Sequence, residues 1–143
     1  MPGASTELRL ETVIRAPAAT VWNAIADSRH RSAWWSYLDL DVAVGGRLLE
    51  RWRDADGHEQ RTFGEILEAE PRRLLRCTWR DEGWEAPTEV ELAIHDHAGA
   101  TRVELRHSGW GDLDHGAQLL AAHREGWRRH LANLKAYAER ISP

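Results

Sequence analysis

Three ionisable side chains fall where the pattern of the chain calls for apolar ones. His107 continues the alternation of Val103 and Leu105, so it shares their face of a strand. Glu50 lies between Leu48 and Trp52 in the same way. His123 belongs to a stripe formed by Leu119, His123, Trp127, Leu131, Leu134, Ala138 and Ile141, spaced three or four apart on one helix face. Two imidazoles in one cavity can hold a polar ligand group or move a proton near neutral pH. The commoner fate of a buried imidazole is a structural hydrogen bond. An inward Glu50 is costly unless paired with a histidine or arginine, and otherwise becomes an acid or base of raised pKa. A bulge turning it outward is the alternative. His107, His123 and Glu50 are the weak catalytic candidates.

The tryptophans are the second signal: eight, against one Phe and two Tyr. Trp34, Trp35, Trp52, Trp79, Trp110 and Trp127 come from the short helices, the sheet, the final loop and the long helix. With Leu119, His107 and His123 they form the candidate ligand-binding set. Rings in that number either wall a pocket or fill it as a dry core. Trp84, in a loop, guards an opening or is exposed. His95-Asp96-His97 has metal-like spacing, but nearby Gly99 marks a hairpin mouth, and no CxxC or HExxH accompanies it. No metal or cofactor is expected. Cys77 reads as an apolar core filler, and as the one cysteine it excludes an internal disulfide. No phosphate loop or nucleophile elbow is present.

These residues need elements to hold them. Glu7 to Ala16 alternates as a half-buried strand. Pro17 opens a helix with Val21, Trp22 and Ile25 on its apolar side. A second short helix is expected over Arg29 to Trp35. Leu38 to Val44 alternates up to a reversal at Gly45-Gly46. Four further strands follow, with Asp56-Gly57 as a hairpin signal and Asp81 to Pro87 as a loop. The last strand carries Val103, Leu105 and His107. His115 to Ile141 is then one long amphipathic helix, capped by Asp114. Within it Gly126 reads as a point of close approach to the sheet. The order is strand, two helices, six strands, helix: an α+β fold with an antiparallel sheet of about seven strands wrapped around a C-terminal helix.

At 143 residues and a net charge of -4 the chain is expected to be a single domain without a nucleic-acid footprint. Residues 1–5 are expected to fray. Lys135 is the sole lysine among 19 basic residues. With the many alanines this reads as the coding bias of a GC-rich bacterial genome. No apolar run reaches membrane-spanning length, and the start has no signal-peptide core. The expected location is cytoplasmic, as monomer or homodimer.

In order and spacing, several motifs carry a resemblance. They are Ala16-Pro17 with Val21-Trp22, Trp34-Trp35, Gly45-Gly46-Arg47, Gly64-Glu65-Ile66-Leu67-Glu68 with Glu70-Pro71, Thr78-Trp79, Thr101-Arg102, His107-Ser108-Gly109-Trp110 and Gly126-Trp127. The chain resembles the SRPBCC (START, helix-grip) superfamily, and within it the branch of activator-of-Hsp90-ATPase homologues. The resemblance implies a deep cavity between sheet and long helix, used for apolar small molecules. Some such relatives are polyketide cyclases. The co-chaperone relative binds Hsp90 beside an N-terminal domain that has no counterpart in this sequence. No catalytic motif carries over. The leading expectation is a protein binding a small hydrophobic or aromatic molecule. A cyclase- or hydrolase-like enzyme using the cavity His and Glu, and an Hsp90-type protein-interaction module, are the alternatives.

Overall fold

The computed structural model describes residues 7–142, so the expected frayed start lies outside the described residues. The order of elements is the expected one. Strand β1 spans Glu7–Ile14, helices α1 and α2 span Ala18–Ala26 and Ser28–Arg31, and β2 to β7 span Leu38–Leu40, Arg47–Arg53, Glu59–Glu70, Leu74–Asp81, Thr88–His97 and Ala100–Ser108. A single 3-10 turn at Trp110–Asp112 leads into α3, Gly116–Ile141. The strands form one antiparallel sheet in the order β1-β7-β6-β5-β4-β3-β2. This is an α+β helix-grip fold. Among the described residues, no helix is long and apolar enough to cross a membrane.

Alternation sets the sheet's two faces. Leu8, Ile14, Leu48, Ile66, Leu75, Cys77, Val90, Ile94, Val103 and Leu105 are buried against the helices. The outer face is a ladder of ion pairs: Arg76 with Glu68 and Glu89, Arg102 with Glu11 and Glu104, and Arg106 with Glu7. Gly64 lets β4 curve across β5, since a Cβ there would lie 2.1 Å from the Thr78 carbonyl oxygen. A register shift between Ile66 and Glu68 adds to the bend.

The helices differ from expectation in detail. Helix α2 stops at Arg31, short of the expected Trp35. Buried Arg31 donates to the carbonyls of Ile25, Ala26 and Leu40, so a cation closes the C-terminus of α1 and ties it to β2. Strand β2 ends at Leu40, short of Val44, which is 72% exposed. The chain folds back early because Gly46 tucks against the Asp41 carbonyl, 2.1 Å from where a Cβ would stand.

Helix α3 is 26 residues, about 39 Å at 1.5 Å per residue. Asp114 does not cap it. The N-cap is His115, in the left-handed region at φ 61°, with no side-chain cap. The Asp114 amide instead donates to Glu85. Trp127, Leu131, Leu134 and Ala138 are its buried face, and Ile141, expected in that stripe, is 38% exposed. Lys135 donates to the Val13 carbonyl, and Glu139 accepts from the Arg15 amide. The second half of α3 is thereby pinned along β1.

Candidate functional site

One cross-strand row interrupts the apolar inner face. Glu50 of β3 is the register partner of Thr62 of β4, which is the partner of Asp81 of β5. All three are buried. The Thr62 hydroxyl donates to Asp81 Oδ1 at 2.5 Å and accepts from Trp52 Nε1 at 3.0 Å. Glu50 Oε2 accepts from Trp35 Nε1 at 3.0 Å. Facing the row from α3 are His123, Trp127 and His130, at helical spacings of four and three. His123 Nε2 lies 3.6 Å from Asp81 Oδ2, and His130 Nε2 lies 3.9 Å from Glu50 Oε2.

Burial decides the charges. Glu50 is pushed up to about 7, first by desolvation and then by the nearby Asp81 charge, against the Trp35 hydrogen bond that lowers it. His130 stacks on Trp35 at 3.7 Å between ring centroids, and burial beside Arg129 pulls it down to about 4. At neutral pH His130 is therefore neutral and gives Glu50 no positive partner. Its Nδ1 is buried without a hydrogen bond.

His107 is fully committed elsewhere. Trp127 Nε1 can only donate, so His107 Nδ1 accepts from it at 3.0 Å. Nε2 then carries the proton and donates to the Thr88 hydroxyl at 2.7 Å. That hydroxyl donates its own hydrogen to the Trp79 carbonyl at 2.6 Å. Both nitrogens are used in a neutral ring, and burial holds the pKa down at about 2.

Two spaces adjoin these groups. The enclosed one, between the sheet and the middle of α3, measures about 40 Å³ and is lined by Trp34, Trp35, Trp79 and Trp127 among mainly aliphatic side chains, with Arg31, Cys77 and His130 also lining it. That is room for a few water-sized groups only. The other is an open cleft of about 500 Å³ at the first half of α3. Its floor is the Glu50–Thr62–Asp81 row, its walls include Trp52, Trp79, His123 and Trp127, and Tyr37, Arg53, Glu125 and Arg129 form its exposed rim.

Residues 15–139 match the sequence profile described as activator of Hsp90 ATPase homolog 1-like protein. The chain belongs to that family. Solved structures similar to it include DynU16, a protein of the dynemicin biosynthetic locus, at 23% identity and a TM-score of 0.80. The match covers 98% of this chain and 49% of DynU16, so the chain spans about half the length of that relative. CalU16 from Micromonospora echinospora is 26% identical with a TM-score of 0.75, over 92% of this chain and 75% of that one. CV1439 from Chromobacterium violaceum is 21% identical with a TM-score of 0.77, over 94% and 97%. No curated protein sequence matches the chain.

In this member of the activator-of-Hsp90-ATPase homolog 1-like family, the candidate residues separate into three groups. Trp52, His123 and Glu50 line the open cleft, Trp79 and Trp127 line both spaces, and Trp34 and Trp35 line the enclosed one. His107 and Trp110 lie in the core beside them, where Trp110 Nε1 donates to the His107 carbonyl. Leu119 lines neither space; its carbonyl accepts from His123 Nδ1 at 2.9 Å. No hydrogen bond joins any two of His107, His123 and Glu50. Trp84 is half-buried, against Trp110 and His123. Gly126 faces the cleft and not the sheet: nothing lies within 4 Å of a Cβ built there, which corrects the close approach expected of it. His95 pairs with Glu104 at 2.8 Å on the outer face. Among the described residues, Asp54, Asp56 and His58 have metal-like spacing, but Asp54 already accepts from the Asp56 and His58 amides to hold its hairpin.

Sequence reasoning missed Thr62, Asp81 and His130. The loop expected over Asp81 to Pro87 starts too early: Leu75, Cys77 and Trp79 continue to Asp81 at period two, and β5 ends on it. His130 stands three residues after Trp127 and seven after His123, so the same helical spacing reaches it.

Proposed function

We propose that this protein binds a small, largely apolar organic molecule, aromatic in the simplest case, in the cleft between β3–β5 and the first half of α3. The family and its structural relatives supply a ligand-binding fold. The observation that carries the reading is the cleft's size and lining. About 500 Å³ walled by indole rings with a few polar groups has the character of small-molecule pockets, which run roughly 300–1,000 Å³. The enclosed apolar space is too small for a ligand, so the ligand belongs in the open cleft.

The enzyme alternative required two of His107, His123 and Glu50 within hydrogen-bond reach of each other, and none are. The protein-interaction alternative required an apolar outer sheet face, and that face is an ion-pair ladder. Binding is therefore preferred.

The test uses N-phenyl-1-naphthylamine, a neutral apolar fluorophore, titrated against tryptophan emission. Saturable quenching is expected from the wild type. Gly126→Phe, which fills the cleft from a position with open space around it, is expected to weaken binding about tenfold or more, the loss of roughly 1.4 kcal/mol or more of contact. No saturable quenching, or quenching indifferent to Gly126→Phe, overturns the reading.

A further inference from the structure

We propose that the cleft selects organic cations: an ammonium group held over the Glu50–Thr62–Asp81 row, with its carbon body against the rings of Trp52, Trp79 and Trp127. This rests on the cleft being the ligand site, and it names the ligand's chemical class.

The cleft holds two buried carboxylates on its floor, and among the described residues no lysine or arginine forms an ion pair with either. The nearest ionisable partner of each is a histidine, His123 for Asp81 and His130 for Glu50. Glu50 is 6% exposed, and its carboxylate takes a hydrogen bond from a neutral indole. A buried carboxylate of this kind is expensive unless a positive charge meets it. The rim arginines do not supply that charge: Arg53 donates to the Gly57 carbonyl, and Arg129 makes no ion pair with Glu50. The space over the row is open and walled by indole faces, which attract cations through the ring quadrupole. A carboxylate floor under aromatic walls therefore matches an ammonium group better than a neutral or anionic one.

The groups facing Glu50 are Thr62 and Asp81 from the sheet, Trp35 and Tyr37 from the α2–β2 connection, and His123, Arg129 and His130 from α3. Glu50, pushed up to about 7, changes charge in this range, and His130, held down at about 4, does not. Binding of a permanent cation should strengthen as pH rises through that value.

The experiment is calorimetry on the intact protein with (1-naphthylmethyl)trimethylammonium and, as neutral counterpart, 1-naphthalenemethanol. Neither probe titrates in this range. At pH 8 the cation is expected to bind about tenfold more tightly or better, the worth of one desolvated cation–π contact. Its affinity should fall between pH 8 and pH 6 while that of the alcohol stays level. Glu50→Gln, which keeps an acceptor for Trp35, should remove the pH dependence and part of the preference, and Asp81→Asn should reduce the preference further. If both probes bind equally and Gly126→Phe abolishes both, the cleft reading stands and cation selection is overturned. Binding of neither probe overturns both. A cation preference left undiminished by the Glu50→Gln, Asp81→Asn double substitution also overturns the proposal. If Glu50→Gln does not fold, the wild-type pH profile alone decides: a flat one refutes.

Discussion

Glu50→Gln should stabilise the unliganded protein at pH 8 and leave it nearly unchanged at pH 4. The wild-type carboxyl moves from 4.5 to about 7 on folding, chiefly through desolvation. Between those values the folded state keeps a proton that the unfolded state has released. Stability therefore falls as pH rises through this window, and levels off above about 7. A shift of this size is worth about 3 kcal/mol, at about 1.4 kcal/mol per unit. Glutamine has the same shape, keeps the acceptor for Trp35 Nε1 and has no proton to lose. The stability difference between variant and wild type should grow from near zero at pH 4 to about 3 kcal/mol at pH 8. Urea unfolding at half-unit pH steps measures it. The depressed histidines 107 and 130 add their own acid sensitivity, but neither owes its shift to Glu50, so both cancel in the difference. Parallel stability curves for the two proteins, or a wild type more stable at pH 8, would refute the buried, unpaired carboxylate.

Gly126→Ala should stabilise by about 1 kcal/mol in chemical denaturation, because a helix-interior glycine gains backbone restriction from a methyl group that here meets nothing within 4 Å. His107→Phe should cost about 1–3 kcal/mol at pH 7, since the buried Trp127 N–H loses its acceptor. That cost should shrink in acid: the wild-type ring, held at about 2, stabilises the fold only while the unfolded chain's histidine is also neutral, and the benefit is lost as pH falls below about 6.5.

Period-two alternation in Leu48, Glu50 and Trp52 or Val103, Leu105 and His107 reports which side chains meet the core, and the sheet obeys it residue by residue. The stripe through Trp127, Leu131 and Leu134 does the same for α3. Positions where the backbone decides are less visible. Strand β2 ends early because Gly46 tucks under a carbonyl, and α3 starts from a left-handed His115 and not from the Asp114 side chain. Asp81, at the end of the Leu75, Cys77 and Trp79 alternation, looks like the end of that pattern, while His130, inside α3 beside Leu131, looks like the polar flank of the stripe. Whether tryptophans wall a cavity or fill it depends on how six rings tilt against each other, and no spacing encodes that. In this protein Trp35, Trp79 and Trp127 fill the deep part, at 5.7 and 5.1 Å between successive centroids, and leave the mouth open.

That packing also bears on why the polar groups are there. Each buried indole brings one N–H that needs an acceptor. Trp34 uses the Ala24 carbonyl, Trp110 the His107 carbonyl, Trp127 the His107 ring, Trp52 the Thr62 hydroxyl and Trp35 the Glu50 carboxylate. Neutral acceptors satisfy the first four. A glutamine would satisfy Trp35 equally well and escape the cost of burying an ionisable group, so the tryptophan core accounts for an acceptor at position 50 but not for a carboxylate. Asp81 accepts from the Thr62 hydroxyl, a bond an asparagine could serve, and its other oxygen lies 3.6 Å from His123 Nε2. What these hydrogen bonds leave unexplained at position 50 is the carboxylate, and both Glu50 and Asp81 open onto the cleft of about 500 Å³. The hydrogen bonds serve the structure; under the proposed cation selection, the charge serves the ligand.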